Sequence, residues 1–222
     1  MTLSFPHVWE PPSDADAPVL LVLHGTGGDE HALVGIARSL APGAGLLAPR
    51  GPVIEGDGVP RFFRRIPTGG SGAYPFTFDA EEIAERATEL VAFVREVLGR
   101  EQLSGRMVAA TGFSNGANMI SALLLLHPGL VRAAALFAPM PVLEPPPQAE
   151  LSDTAVWLGR GRRDPIATPD QVERLAEQLA HRGAAIDVHT HAGGHEVPID
   201  AVRAAATWMG KVRAATGGAD LP

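Results

Sequence analysis

Gly112-Phe113-Ser114-Asn115-Gly116 lies between an apolar run, Met107 to Thr111, and an apolar stretch of helical spacing, Ala117 to His127. That order predicts a strand, a sharp turn and a helix, with a serine at the apex. A turn this tight holds the serine backbone in an uncommon conformation. It also brings strand and helix so close that side chains two residues before and two after the serine would collide. Glycine at 112 and 116 removes both collisions. The Ser114 hydroxyl is lifted clear of the strand end, where a base can reach it, and the Asn115 N–H at the start of the helix is aimed at developing negative charge. G-x-S-x-G also arises by chance in a chain with 25 glycines. Its reading as the nucleophile elbow of a serine hydrolase therefore rests on the rest of the chain.

An elbow serine needs a histidine to take its proton, and that histidine needs a carboxylate to fix its tautomer and stabilise the imidazolium that forms. On a parallel sheet with this elbow the order along the chain is serine, acid, histidine. Downstream of Ser114 the apolar run Thr154 to Leu158 reads as a strand leading into Gly159-Arg160-Gly161-Arg162-Arg163-Asp164-Pro165. Asp164 is thus expected on a loop at the C-terminal end of a strand, where ligand-handling residues of parallel sheets gather. The next strand, Ala185 to Thr190, runs into His191-Ala192-Gly193-Gly194-His195-Glu196-Val197-Pro198. His195 follows a glycine pair and precedes a helix whose first turn suits Pro198. Competing acids are placed less well. Asp153 precedes its strand, Asp170 reads as an early helix residue, and Asp187 lies inside a strand. Among the histidines, His189 and His191 fall at strand alternation and are held on one face, with His191 the second candidate for the base.

The oxyanion of an acyl-transfer intermediate needs N–H donors, worth about 3–4 kcal/mol each. Val19 to Leu23 is apolar enough for a strand buried on both faces, and it empties into His24-Gly25-Thr26-Gly27-Gly28-Asp29-Glu30. This glycine-rich turn assigns the Thr26 N–H as partner of the Asn115 N–H. His24 precedes the serine and is read as a brace for the loop. The spacing fits neither dinucleotide-binding glycines nor a Walker loop.

These blocks, with Gly112 to Asn118, Gly161 to Ile166, and Gly193 to Val197, resemble in order the motifs of the phospholipase/carboxylesterase family of small α/β-hydrolases, which includes acyl-protein thioesterase-like enzymes. Thr26, Asn115 and Pro60-Arg61-Phe62-Phe63-Arg64-Arg65 are more similar to a bacterial carboxylesterase branch linked to hydroquinone resistance than to the thioesterase branch. The resemblance implies an α/β-hydrolase fold, and a chain of 222 residues leaves little room for a separate lid domain. The resemblance also implies cleavage of esters or thioesters with no cofactor and no metal, by Ser114, His195 and Asp164 with the Thr26 and Asn115 N–H groups. Alternatives are an acyl-protein thioesterase, a lysophospholipase, or a receptor-like fold whose pocket binds a ligand.

Composition agrees. A chain of 222 residues with 45% hydrophobic content suits one domain, and a net charge of −7 suggests no basic face for nucleic acid. The absence of cysteine excludes disulfides and thiol chemistry. The N-terminal residues show no signal-peptide pattern and no stretch is long enough to span a membrane, so the expected setting is the cytoplasm, with a small-molecule ester as partner and a homodimer left open. Strands at Gly45 to Ala48 and Arg132 to Phe137, with helices at His31 to Leu40, Asp79 to Leu98, Pro169 to Arg182 and Pro198 to Arg213, complete an α/β alternation. Such alternation means a mostly parallel sheet covered by helices on both faces. The tail from Ala214 is expected to fray, and Asp79 with Glu82 reads as a helix cap and third-position acid.

Pro49 to Phe78 is expected to be structureless and too long for a mere connector. It carries Arg50, Arg61, Arg64 and Arg65 with Phe62, Phe63, Tyr74, Phe76 and Phe78. Phe62, Phe63 and Arg64 are expected at the substrate edge, and Met140, from the loop after another strand, is either a further contact there or plain packing. The competing reading pairs the arginines with local acids such as Glu55 and Asp57 and packs the rings inward.

Overall fold

The six apolar runs form the parallel part of a seven-stranded sheet in this computed structural model, which describes residues 5–13, 16–56, 58–69 and 76–216. In chain order the first elements are β1 (His7–Glu10), β2 (Val19–Leu23), α1 (Val34–Leu40) and β3 (Gly45–Pro49), then the short strands β4 (Val53–Ile54), β5 (Pro60–Arg61), β6 (Ile66–Pro67) and β7 (Phe76–Thr77). There follow α2 (Ala80–Arg100), β8 (Val108–Phe113), α3 (Asn115–Leu126), β9 (Ala133–Phe137), β10 (Ala155–Gly161), α4 (Pro169–Ala180), β11 (Ala185–His191) and α5 (Ile199–Thr216). Sheet order is β1-β3-β2-β8-β9-β10-β11. β2 and β8 are therefore central, and the elbow stands at the end of a strand paired on both sides.

Side-chain alternation divides β2 between two cores. Val19, Leu21 and Leu23 face one with α2, α3 and α4, whereas Leu20 and Val22 face the other with α1 and α5. All five are buried, as expected of a strand covered by helices on both faces. α3 lies so deep that every residue from Asn115 to Leu125 is buried.

Two sequence expectations are corrected, and one strand was not foreseen. His7–Glu10, flanked by prolines and only partly buried, pairs antiparallel with β3 at the sheet edge; four residues of mixed polarity carry no readable period. The stretch from Pro49 to Phe78 is not structureless, because β4 pairs with β5 and β6 with β7 as two-residue antiparallel ladders. α5 extends to Thr216, so residues 214–216 are helical rather than frayed; the remainder of that tail, residues 217–222, lies outside the described residues. The Asp79 cap is observed, its side chain accepting from the Glu81 and Glu82 N–H groups. Glu82, however, is buried and turns to Arg64, whose Nε lies 3.1 Å from its carboxylate. It anchors the preceding segment instead of closing a capping box.

Candidate active site

Ser114 adopts φ 51° and ψ −116° between β8 and α3, a conformation that side-chain-bearing residues rarely adopt. Its own N–H donates to Phe137 O at 2.9 Å, tying the turn to β9. The two flanking glycines answer to different neighbours. A Cβ at residue 112 would lie 2.8 Å from the Ala117 nitrogen, so strand and helix of the elbow meet there. A Cβ at residue 116 would lie 2.2 Å from Leu23 O, at the end of the neighbouring strand β2, and 2.5 Å from His24 O just beyond it. Gly116→Ala should accordingly cost about 3 kcal/mol or more, the upper part of the overpacking range, measured by urea denaturation. An unchanged midpoint would show that β2 and α3 have room to part.

Asp164 stands on the loop after β10 with its side chain fully buried. Burying a carboxylate is costly unless donors surround it. Here Oδ1 accepts the Ile166 N–H at 2.8 Å and the Ala167 N–H at 3.0 Å, and Oδ2 faces His195 Nδ1 at 2.8 Å. The loop after β11 is laced to this one by Arg162 N–H to His191 O at 2.9 Å and Arg163 N–H to Gly193 O at 3.0 Å. His195 Nε2 lies 2.9 Å from Ser114 Oγ. The three residues read from the sequence thus form one continuous hydrogen-bonded chain across three strand ends. Competing residues are occupied elsewhere. His191 is buried and accepts the Gly193 N–H on Nδ1, Asp153 pairs with Arg132, and Asp170 sits in the first turn of α4.

The loop after β2 lies against the elbow. Gly28 N–H donates to Gly25 O at 3.0 Å and Gly27 N–H to Pro60 O at 2.9 Å, while among the described residues no protein acceptor takes the Thr26 N–H. The Asn115 N–H is at the first position of α3, where no intrahelical acceptor exists. His24 is the brace that the sequence suggests. Its Nδ1–H donates to Gly25 O at 2.7 Å and its Nε2 accepts the Gly51 N–H at 2.9 Å. Only the neutral ring can do both. Burial, the largest cause, pushes its pKa below the ordinary 6.5.

The sign of this linkage is testable. Below pH 6.5 the unfolded chain takes up a proton that folded His24 refuses, so its contribution to stability is full above that pH and declines as pH falls. The stability difference between wild type and His24→Gln should narrow between about pH 7.5 and about pH 5. A constant difference would refute a neutral brace.

Of the four residues expected at the substrate edge, three point into the core. Phe62 and Phe63 are 1% and 0% exposed and Met140 is 2% exposed, so none forms an accessible wall. Phe62 packs on the His24 ring at 4.9 Å between centroids and Phe63 on Phe78 at 5.5 Å. Arg64 is engaged by Glu82. The other arginines follow the local-pairing reading. Arg61 pairs with Glu55, Arg50 Nη2 donates to Glu30 at 2.7 Å, and Arg65 lies over the Phe76 ring; Asp57 and Tyr74 lie outside the described residues. Among the described residues of these ladders the exposed large apolar side chains are Ile54 and Ile66. A recess of about 490 Å³ lined by Ser104, Arg106, Val108 and Arg132 opens at the opposite end of β8, away from Ser114.

Two roles were missed. The Asn115 side chain accepts the Phe62 N–H at 2.7 Å, and Asn118, also buried, accepts the Met140 N–H at 2.8 Å. Both asparagines pin loops to the helix that carries the elbow. Their signal was visible as two amides in the first turn of an otherwise apolar helix. Among the described residues, no three His, Cys, Asp or Glu side chains group to hold a metal, and no helix is long and apolar enough to cross a membrane.

A mostly parallel sheet with this elbow and these strand-end loops defines a carboxylesterase-like α/β-hydrolase. The chain belongs to the dienelactone hydrolase family, whose sequence profile matches residues 7–196. It is 35% identical over 190 residues to the Bacillus subtilis protein MhqD, covering 86% of this chain and 91% of that one. Among solved structures it is similar to the Bacillus cereus carboxylesterase, with a TM-score of 0.86 and 33% identity over 93% of this chain and 94% of that one. It is also similar to a carboxylesterase from Mesorhizobium loti, with a TM-score of 0.78 and 34% identity over 89% and 90% of the two chains. The chain is thus a hydrolase of the esterase kind.

Proposed function

We propose that this hydrolase cleaves carboxylic esters of small to medium acyl chains through an acyl-enzyme. Ser114 Oγ–H donates to His195 Nε2, which takes that proton as Oγ bonds to the ester carbonyl carbon. The Thr26 and Asn115 N–H groups receive the oxyanion. The proton on Nε2 then passes to the departing alkoxide as the C–O bond breaks. Water, giving its proton to the same nitrogen, attacks the acyl carbon and restores the Ser114 hydroxyl on collapse. Asp164 holds the imidazole in the tautomer that leaves Nε2 free to accept. The observation that carries this reading is the unbroken line from Ser114 Oγ through His195 to Asp164, at 2.9 and 2.8 Å.

The acyl preference is argued from the connector between β3 and α2, whose described residues form two short ladders with Ile54 and Ile66 as their exposed large apolar groups. Rates on p-nitrophenyl esters from acetate to dodecanoate, beside an acyl thioester of matched chain, test it. The expected maximum lies at the shorter chains. A maximum at dodecanoate would favour the lysophospholipase reading, a faster thioester the acyl-protein thioesterase reading, and tight binding without turnover the receptor reading.

A further inference from the structure

We infer that Phe113 is a positioning residue of this site, setting the base and the oxyanion loop against one another through a single ring. The inference rests on the catalytic reading proposed above.

The geometry has three parts. First, His195 is held by hydrogen bonds at its two nitrogens, to Asp164 and to Ser114. Such bonds lie in the ring plane and resist tilting of the imidazole about the line joining them only softly. A packed face is needed to stop that tilt. The Phe113 ring supplies one, with centroids 4.9 Å apart and planes inclined at 40°, in the range of favourable aromatic pairs. Second, the same ring meets Gly25. A Cβ at residue 25 would lie 2.8 Å from Phe113 Cδ1 and 3.4 Å from Cε1, so only glycine lets the loop approach this closely. Gly25 is itself held through its carbonyl, which accepts from His24 Nδ1 and from the Gly28 N–H, and Thr26 follows directly. Third, Phe113 packs at the margin of both hydrophobic cores, so the ring is fixed before it fixes anything else. Residue 113 is thereby more than a spacer between Gly112 and the nucleophile.

Phe113→Ala should lower kcat about 10- to 100-fold, the scale of a misplacement near 1 Å, with KM within about threefold. Phe113→Leu, which keeps part of the bulk, should recover part of kcat. Gly25→Ala should lower kcat in the wild-type background but cost far less alongside Phe113→Ala, because the colliding ring is gone. Strong non-additivity in this cycle supports the inference. Additive losses, or full kcat in Phe113→Ala, overturn it. Should Phe113→Ala fail to fold by circular dichroism, the cycle is run with Phe113→Val, which also lacks the δ carbon that a side chain at residue 25 would meet, and read the same way. Ser114→Ala is the parallel control. Turnover in that variant would bring down the catalytic reading itself, whereas an inactive Ser114→Ala beside a fully active Phe113→Ala would remove only the role given to the ring.

Discussion

Ser114→Ala should lower kcat/KM on p-nitrophenyl butyrate by about 10⁴-fold or more, the scale seen when the nucleophile of a working triad is removed. Fold should be retained. The backbone strain at φ 51° belongs to the turn and is as acceptable to alanine as to serine, and the hydroxyl makes its hydrogen bond to His195, which can turn to water instead. A fluorophosphonate should add its mass to the wild type and leave Ser114→Ala unlabelled. Undiminished hydrolysis with persistent labelling would place the reactive group elsewhere.

Asp164→Asn should be nearly as damaging, about 10⁴-fold in kcat, and the local geometry dictates why. Oδ1 accepts two backbone N–H groups, from Ile166 and Ala167. An asparagine must keep its oxygen there, since its NH₂ would face donors. Its amide nitrogen then points at His195 Nδ1, which has to become an acceptor. That choice forces the imidazole proton onto Nε2, where it faces Ser114 Oγ and cannot be exchanged for the serine proton. KM should hardly move, because the carboxylate is buried and reaches substrate only through the histidine. Rate loss confined to KM would contradict this account, and so would wild-type kcat.

The elbow and the order of the strand-end residues were legible because each depends on a few adjacent residues. Two glycines around Ser114, an apolar run before Asp164 and a glycine pair before His195 carry their meaning locally. The continuous apolar run Val19 to Leu23 likewise foretold burial on both faces. A loop rich in rings looks the same whether its rings face out or in, so Phe62 and Phe63, like Met140 on its separate loop, carry no local sign of their direction. Their direction is set by residues distant along the chain: the Asn115 and Asn118 amides that take the Phe62 and Met140 N–H groups, and the floor formed by His24. The edge strand β1 escaped notice since its pairing partner, not its composition, makes it a strand.

The helix that bears the nucleophile has no solvent-facing side from Asn115 to Leu125, whereas among the described residues of 53–69 only the centre of the segment, Arg61-Phe62-Phe63, is buried; its bonds to the rest include Gly27 to Pro60, Asn115 to Phe62, and Glu82 to Arg64. Variation during evolution is therefore channelled. Drift within the helix disturbs two cores at once and is purged, while the exposed parts of the hairpin segment can be exchanged more freely, provided its buried Phe62-Phe63 centre and these bonds survive. Divergence of substrate choice among descendants of this chain should be written there, with the reacting machinery left unaltered.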